Sequence, residues 1–205
     1  MITYIFGASK IDDYSYLSEI DFNDSFIICA DGGIEHIKKL NLTPDVIIGD
    51  FDSSVDTGEY QNKIVYPKEK DDTDLGLAIN YASQNNLTEC VAIGCLGNRL
   101  DHTFSNICLL KYAYNKGVNL KLIDEKTKVF LVFDKCEIKS EGYKYISIFP
   151  VGSYAKGINL TGFKYPLKEA SLGIEFPLGV SNQLISDSGA ISVREGCLIV
   201  MMVKE

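Results

Sequence analysis

The sequence predicts an α/β fold in two parts, a parallel sheet with helices first and a purely β region after it. Up to about Asp124, short apolar runs alternate with amphipathic stretches, whereas after Thr127 short β-rich runs are separated by glycine-containing turns. Repeated strand-then-helix order is typical of a parallel sheet covered by helices, because parallel strands need long crossover connections. We therefore expect one domain over residues 1–124 and a second over residues 127–205.

Apolar runs and helical patterns define the elements of the first part. Six runs predict strands, at residues 2–6, 26–30, 46–48, 63–66, 90–93 and 120–123. Helical patterns occupy residues 34–40, 75–82 and 103–114; one face of the second carries Leu75, Ala78, Ile79 and Ala82. In parallel sheets ligands bind beyond the carboxyl ends of the strands. We therefore expect the functional residues in the loops that follow the runs.

The second part contains only strand signals. Its β-rich runs are KVFLVF, YKYISIF, AISV and CLIVMMV, and no convincing helical period separates them. Short strands joined by glycine-containing turns favour a small β-sandwich or a barrel. The polar stretch DEKTK, residues 124–128, marks the boundary between the two parts.

Charge and composition limit the classes of partner. The 205 residues are 46% hydrophobic and carry a formal net charge of −8 at pH 7, without a run of lysine or arginine. A long phosphate backbone would be repelled by this charge, so we expect no nucleic-acid partner. A small polyphosphate is compatible with it, provided that a metal cation supplies positive charge locally.

The apolar runs and cysteines favour a cytoplasmic protein without a membrane partner. The longest apolar run, residues 197–203, is too short to cross a bilayer, and the N-terminus lacks the basic flank of a signal peptide. The six cysteines form no CxxC pair and lie mostly in apolar contexts. We expect buried thiols rather than disulfides.

The first candidate loop is GDFDS, residues 49–53, directly after a predicted strand. Carboxylates at Asp50 and Asp52 can converge if the chain turns there, and such hard oxygen donors suit Mg²⁺. A polar turn in which Asp52 or Ser53 caps a helix explains the short motif equally well.

The second candidate is PKEKDDTDLGLA, residues 67–78, which opens a predicted helix. Asp71, Asp72 and Asp74 crowd at the helix N-terminus, where the helix dipole favours negative charge, and capping explains one or two of them. Together with GDFDS on an adjacent loop they would repel one another unless a cation intervened, so the conjunction predicts a metal site. Lys68 and Lys70 are suited either to phosphate oxygens or to a solvated surface.

The third candidate is GCLGNRLDHTFSN, residues 94–106, before the last helix of the first part. Glycines followed by a helix N-terminus expose backbone donors for phosphate, and Arg99 can grip phosphate oxygens with two hydrogen bonds. Three roles stay open for Asp101: it can hold Arg99 in place, add to the metal site or cap the helix. His102 is predicted to be a structural or orienting imidazole, and His36 to lie on the surface.

A fourth loop, ADGG at residues 30–33, also joins a strand to a helix. Its backbone amides can approach a nucleotide, although DGG is a common turn.

Five motifs occur in order along the chain: ADGG, PDVIIGDFDS, KEKDDTD, GNRLDHTFSN, and GFKYPL followed by GVSNQ. In this order and with this spacing the sequence resembles the thiamine pyrophosphokinases, also called thiamine diphosphokinases. The fifth motif is similar to the family's thiamine-side motif. Each motif is modest by itself, but together they span nearly the whole chain.

The resemblance implies a fold, a reaction and an assembly. It implies a Rossmann-like α/β nucleotide domain, a C-terminal β-sandwich, and a homodimer in which thiamine lies between one subunit's α/β domain and the other's sandwich. The implied reaction is Mg²⁺-dependent transfer of a pyrophosphoryl group from ATP to the thiamine hydroxyl, giving thiamine diphosphate and AMP.

The resemblance also implies roles for residues at matching positions. Asp50, Asp52 and Asp74 match the magnesium and catalytic aspartates, Asp71 matches the first acid of the KDxTD pattern, and Arg99 and Asp101 match the RxDH pair. The ATP side is assigned to Asp31, Gly32, Gly33, Lys68, Lys70, Gly97, Arg99 and His102. The thiamine side is assigned to Ser181 and Asn182, near the pyrimidine, with Asp74 and Phe176.

Three features depart from the family pattern. Asn98 follows Gly97 where many members have a second glycine. The chain also has no tryptophan, so Phe176, Tyr165 or another aromatic is expected against thiamine. Asp72 has no family counterpart and is predicted to cap the helix.

Other functions are compatible with parts of the pattern. GDFDS is similar to the DxDx[TV] motif of haloacid-dehalogenase-like phosphatases, although Ser54 stands where Thr or Val is expected. A DxD glycosyltransferase and a non-enzymatic thiamine or nucleotide sensor are further alternatives. None of these explains the GVSN block.

Overall fold

The structure is a computed structural model that describes residues 1–49, 60, 62–66, 72–97, 99–176 and 178–205. The chain divides into two compact units, Met1–Glu125 and Lys126–Glu205. Helices occur in the first unit, whereas the described part of the second unit consists of strands and turns.

The first unit is built on six parallel strands in the ranges that the structure describes. They are β1 Thr3–Phe6, β2 Phe26–Ala30, β3 Val46–Gly49, β4 Lys63–Val65, β5 Glu89–Ile93 and β6 Asn119–Ile123. Their order across the sheet is β4-β3-β2-β1-β5-β6, and each neighbouring pair is parallel. The six apolar runs are therefore confirmed as strands of a parallel sheet.

Three α-helices accompany these strands: α1 Ile34–Lys39, α2 Asp74–Gln84 and α3 Leu100–Asn115. Short 3₁₀ helices form at Ser15–Leu17 and Asp31–Gly33. The predicted apolar face of α2 is confirmed, because its four residues are all buried. α3 begins three residues before the predicted start at Thr103. No helix within the described ranges is long and apolar enough to cross a membrane.

The core of the first unit lies on the central strands. Every residue of β1 and β3 is buried, as expected for parallel strands covered on both faces. Phe6, Ile34, Ile37 and Ile47 are fully buried and belong to one cluster. This packing holds the strand ends in place, and the loops that leave them are positioned accordingly.

The second unit consists of antiparallel strands. They are β7 Thr127–Val132, β8 Lys135–Lys139, β9 Tyr145–Pro150, β10 Tyr154–Thr161, β11 Leu167–Gly173, β12 Ser188–Ser192 and β13 Leu198–Val203. β13 pairs with β7 and β9, and a second sheet has the order β11-β10-β12-β8. Side chains from the β7-β13-β9 strands and from the second sheet form one core. Val200 of β13, Ile158 of β10 and Ile191 of β12 belong to the same buried cluster.

Three of these strands, β8, β10 and β11, are missing from the sequence prediction. β8 buries only Ile138, β11 buries only Leu172, and β10 alternates between buried and exposed positions. β10 also shifts its register at Gly157, where the positive φ of 65° suits glycine and a Cβ would lie 2.7 Å from Arg194 Cβ. Strands with one solvated face contain few consecutive apolar residues, so a search for apolar runs does not detect them.

The prediction of buried thiols is correct for most of the cysteines. No disulfide joins the six, and Cys29, Cys90, Cys95 and Cys197 are buried. Burial raises the pKa of the Cys29, Cys90 and Cys95 thiols to about 12 each. The prediction is wrong for Cys108, which is exposed on α3, and for Cys136, which is half-buried in β8.

Candidate active site

A cleft opens in the first unit where the strand order reverses. β1 pairs with β2 along one edge and with β5 along the other, so the loops leaving β1 and β5 diverge there. Such a switch point is where open parallel sheets bind ligands. The cleft has a volume of about 710 Å³ and is lined by residues 7–10, Ala30, residues 72–75, Gly94 and Cys95, and the first turns of α3. This volume is within the range of small-molecule sites.

One wall of the cleft is the N-terminus of α2. Asp74 is the first residue of this helix and is half-buried, and Asp72 lies exposed just before the helix; both line the cleft. Asn80 Nδ2 donates to Asp72 Oδ2 at 3.3 Å, and Tyr112 OH donates to Asn80 Oδ1 at 2.6 Å. A chain of hydrogen bonds from α3 across α2 therefore orients the Asp72 carboxylate.

The helix cap of α2 is Thr73, not Asp72 as predicted. Thr73 Oγ1 accepts a hydrogen bond from the Gly76 amide at 3.1 Å. A hydroxyl at this position satisfies an amide that the helix leaves without a partner. The carboxylates on either side of Thr73 are therefore not used for capping in this way.

Several predicted residues lie outside the described residues. These are Asp50, Asp52, Asp71, Lys68 and Lys70. The described residue nearest in sequence to the first pair is Gly49, at the end of β3, where a Cβ would lie 3.0 Å from Asp31 Oδ1. The Asp31 carboxylate is thus beside the strand end that leads into GDFDS.

The pair Arg99 and Asp101, at the start of α3, also lines the cleft. Arg99 Nη2 donates to Asp101 Oδ2 at 2.6 Å and Arg99 Nε donates to Asp101 Oδ1 at 3.3 Å, with both side chains about two-thirds exposed. The hydrogen bond lowers the pKa of Asp101 and raises the pKa of Arg99. Of the roles left open for Asp101, the structure thus favours holding Arg99, at the mouth of the cleft. His102 also lines the cleft.

The first turns of α3 hold the loop that follows β5. Thr103 Oγ1 accepts from the Gly97 amide and donates to the Gly97 carbonyl oxygen, each at 3.1 Å, and Asn106 Nδ2 donates to the Cys95 carbonyl oxygen at 2.7 Å. The Gly97 amide is therefore engaged inside the loop. A Cβ on Gly97 would lie 3.0 Å from Ser9 Cβ, so this loop touches the loop that follows β1.

The ADGG loop contributes to the cleft mainly by packing. Ala30 is a lining residue, whereas the described Asp31, Gly32 and Gly33 are not among the lining residues. Asp31 has a φ of 43°, an unusual value for a residue with a side chain. A Cβ on Gly33 would overlap the carbonyl oxygen of Phe6, so this glycine allows the turn to pack on the end of β1.

Sequence reasoning missed the loop after β1, residues 7–10, which lines the cleft. Ser9 donates its amide to the Gly94 carbonyl oxygen at 2.8 Å, and a Cβ on Gly7 would lie 2.7 Å from Cys95 Sγ. Lys10 brings a cation to the cleft and pairs with Asp12. The sequence contained a signal for this loop, because a glycine directly follows the first apolar run, as Gly49 and Gly94 follow two of the other runs.

The prediction that His36 lies on the surface is wrong. This residue of α1 is only 4% exposed. Its Nε2 lies 2.9 Å from the Ser9 carbonyl oxygen, and its Nδ1 lies 2.6 Å from Tyr14 OH. The imidazole is thus part of the support beneath the loop after β1.

In the second unit, the GVSN block is tied to the GFKYPL block by Asn182. Asn182 is 6% exposed; its Oδ1 accepts from the amides of Tyr165 and Gln183, at 3.0 and 2.9 Å, and its Nδ2 donates to the Tyr165 carbonyl oxygen at 2.7 Å. Ser181 has a φ of 59° and donates its amide to Ser147 Oγ at 2.9 Å. Asn182 therefore shapes this region with contacts inside the unit.

Exposed apolar side chains surround these two blocks in the sequence. Phe176 is 69% exposed and Tyr165 is 61% exposed, and Leu178, Val180 and Ile185 are exposed as well. Phe176 is therefore not a core residue of the second unit. A concentration of exposed apolar groups is typical of a binding surface.

Comparisons with known proteins give the same result for both units. The model of the thiamin pyrophosphokinase catalytic domain matches residues 18–122, and the model of the thiamin pyrophosphokinase vitamin B1 binding domain matches residues 135–198. The thiamine pyrophosphokinase of Bacillus subtilis (strain 168) is 32% identical over 185 residues, which are 85% of this chain and 85% of that protein.

Solved structures agree over the full length. The crystal structure of thiamine pyrophosphokinase from Bacillus subtilis has a TM-score of 0.88 at 29% identity and covers 100% of this chain and 99% of that one. Thiamin pyrophosphokinase from Geobacillus thermodenitrificans also has a TM-score of 0.88, at 28% identity, with 100% and 98% covered.

These matches leave the phosphatase, glycosyltransferase and sensor alternatives without support. The match to the catalytic domain includes the described residues that line the cleft, except those of the loop after β1. The match to the vitamin B1 binding domain includes the GVSN block. The chain therefore belongs to the thiamine pyrophosphokinase family.

Proposed function

We propose that the cleft at the reversal of strand order binds ATP, and that this enzyme transfers the pyrophosphoryl group of ATP to the thiamine hydroxyl in the cytoplasm. The observation that carries the proposal is the arrangement of charge in the cleft. Carboxylates of Asp72 and Asp74 lie on the α2 wall, and the Arg99 guanidinium lies on the α3 wall. Such a cleft offers both oxygen ligands for a phosphate-bound cation and a guanidinium that can bind phosphate with two hydrogen bonds.

The two units take different substrates in this proposal. We assign residues 1–124 to a Rossmann-like ATP-binding catalytic domain and residues 127–205 to a β-sandwich that binds thiamine. The position of the cleft at a switch point of the parallel sheet supports the first assignment. The single core shared by the antiparallel strands supports the second.

The donors in the cleft fit Mg²⁺. Within the described ranges no three His, Cys, Asp or Glu side chains come together as a metal site. Asp74 nevertheless supplies a hard oxygen donor to the cleft wall, and β3 ends at Gly49, one residue before Asp50. Asp74 would hold the ion with Asp50 and Asp52, and the bound ion would neutralise charge on the phosphate oxygens.

The chain's own residues would then act by positioning and by charge. The thiamine hydroxyl oxygen forms a bond to the β-phosphorus of ATP, the bond from that phosphorus to the α–β bridging oxygen breaks, and AMP leaves. Arg99 donates to the phosphate oxygens as their charge develops, exchanging its bonds to Asp101 for bonds to phosphate. Asp71 or Asp74 accepts the hydroxyl proton. The acidic cleft also favours approach of the thiamine cation.

The thiamine side is proposed to be completed in a homodimer. Ser181, Asn182 and Phe176 of one subunit would contact thiamine held against the α/β unit of the partner. The exposed apolar side chains Tyr165, Phe176 and Leu178 in the second unit, with Leu100 and Phe104 on α3, support an interface of this kind.

A stoichiometric assay tests the reaction. Purified protein incubated with ATP, Mg²⁺ and thiamine is expected to form AMP in step with thiamine diphosphate. Formation of ADP with thiamine monophosphate would disprove the pyrophosphoryl step. Inorganic phosphate released from simple monoesters in the absence of ATP would instead favour a phosphatase.

A further inference from the structure

His36 is buried directly behind the loop that forms one wall of the cleft. It lies on α1, whereas the loop, residues 7–10, follows β1, so the two are neighbours only in the folded chain. The Ser9 backbone is held at both of its polar atoms: its amide donates to the Gly94 carbonyl oxygen, and its carbonyl oxygen contacts His36 Nε2. One of the two hydrogen bonds that hold the Ser9 backbone is therefore made by a buried side chain.

The contacts of the ring determine its tautomer. A carbonyl oxygen only accepts hydrogen bonds, so the contact of 2.9 Å to Ser9 requires the proton on Nε2. Nδ1 is then the acceptor, and Tyr14 OH donates to it at 2.6 Å. Both ring nitrogens are satisfied by a neutral imidazole, and Tyr14 holds the ring in the orientation that the Ser9 contact needs.

The ring also packs against the junction of the two cleft loops. A Cβ on Gly94, where φ is 65°, would lie 3.1 Å from His36 Nε2 and 2.6 Å from the Gly7 carbonyl oxygen. The His36 ring, the end of β1 and the end of β5 are thus closely packed against one another. A smaller or shorter side chain at position 36 would leave the carbonyl oxygen of the half-buried Ser9 without this partner.

We propose that His36 is a positioning residue for ATP: as the neutral Nε2–H tautomer it holds residues 7–10 in the shape that binds the nucleotide. The inference rests on the proposed binding of ATP in this cleft. His36 lies behind the loop and acts through Ser9, so its loss affects the Michaelis constant for ATP and leaves the chemical step and thiamine binding largely unchanged.

Within the described residues, the charged and titratable groups that act on the ring are Lys39, Glu35 and Tyr14. Burial lowers the pKa of His36, and Lys39 on the same helix lowers it further, whereas the Ser9 bond and Glu35 oppose the change. Tyr14 comes from the segment before the first 3₁₀ helix, and Lys39 Nζ lies 5.5 Å from the centre of its ring. Burial and Lys39 favour the neutral ring that this tautomer requires, and the Ser9 bond and Glu35 only partly offset them.

Two amide substitutions separate positioning from simple loss of structure. The His36→Gln side chain reaches the position of Nε2 and can donate to Ser9, whereas His36→Asn reaches only the position of Nδ1. We expect the KM for ATP to rise about tenfold in His36→Asn and to stay within about threefold of wild type in His36→Gln. The kcat and the KM for thiamine should change by less than about threefold in both.

A control variant accounts for lost stability. Ile37→Val removes a fully buried methyl group from the neighbouring residue of the same helix and should leave the KM for ATP unchanged. Equal KM values for ATP in the Gln and Asn variants would overturn the inference, as would a rise in the control. A wild-type enzyme that makes no AMP from ATP and thiamine would instead contradict the proposed function.

Discussion

The two units of this protein bury their strands in different ways, and their functional groups are arranged accordingly. In the first unit β1 and β3 are buried along their whole length, whereas in the second unit β10 alternates and β11 buries a single residue. Strands covered on both faces have no solvated side, so polar groups gather where the strands end. Strands with a solvated face carry their polar residues along their length.

This difference implies that the two units have separate functional roles, which mutations can test. The charged side chains of the cleft belong to the first unit, and the exposed aromatic residues Tyr165 and Phe176 belong to the second. If the first unit performs the chemistry and the second binds thiamine, substitutions in the first should affect turnover or ATP, and those in the second should affect thiamine alone.

The largest expected effect is that of Asp74→Asn. This change removes a charge from the proposed metal site, and we expect kcat to fall by about 10³-fold with the fold intact. Asp72→Asn is the matched control, because Asp72 lies two residues away, lines the same cleft and has its own partner in Asn80. Formation of AMP measures turnover in both. Equal losses would show that the cleft needs negative charge in general, rather than Asp74 in particular.

Arg99→Gln should reduce kcat/KM by about 10²-fold, because it removes the donors that meet phosphate charge as it develops. Arg194→Gln is the control in the other unit, since Arg194 is also exposed and paired with a carboxylate, that of Glu169. Surface ion pairs contribute little by themselves, so this control should stay within about twofold of wild type. A similar loss in both variants would contradict the separation of roles.

Asn182→Ala tests the second unit. It leaves the amides of Tyr165 and Gln183 without their buried acceptor, so we expect the free energy of unfolding to fall by about 1–3 kcal/mol and the KM for thiamine to rise about tenfold. The KM for ATP should not change. Urea unfolding and substrate titrations measure these quantities, and Gln183→Ala is the neighbouring control. A rise confined to the KM for ATP would argue against the thiamine assignment.

The smallest effect concerns the stability of the first unit in acid. Burial lowers the pKa of His36 below its ordinary value of 6.5, so the unfolded chain takes up this proton first as the pH falls. The contribution of the neutral His36 to the free energy of unfolding is complete above about pH 6.5 and is lost as the pH falls below it. Thermal melts between about pH 5 and 8 should show a weaker decline in His36→Gln than in wild type. Identical declines in the melting temperature of the two proteins would show that groups other than His36 determine the loss of stability in acid.

Much of the first unit was predictable because its signals are local. An apolar run indicates a buried strand, and the loop after each run lies at a carboxyl end of the sheet, so the loops that hold Asp74 and Arg99 were identified. The same rule, applied to the first run, would have identified the loop at residues 7–10. His36 was missed because its burial depends on β1 and β5, which are distant in sequence.

The second unit was harder to predict because half-solvated strands resemble loops. β8, β10 and β11 contain few consecutive apolar residues, and their pairing depends on strands elsewhere in the chain. Asn182 was identified from its motif, but the structure adds that its side chain joins two segments.

The sequence by itself determined the order of strands and helices in the first unit, the carboxylates and the arginine of the cleft, and the family, since these depend on residue identity and on short-range periodicity. Only the tertiary structure decided that the sheet reverses at β1, that Thr73 rather than Asp72 caps α2, and that His36 supports the loop at Ser9. Each of these outcomes depends on which distant groups come together, because burial and hydrogen-bond partners are properties of the packed chain.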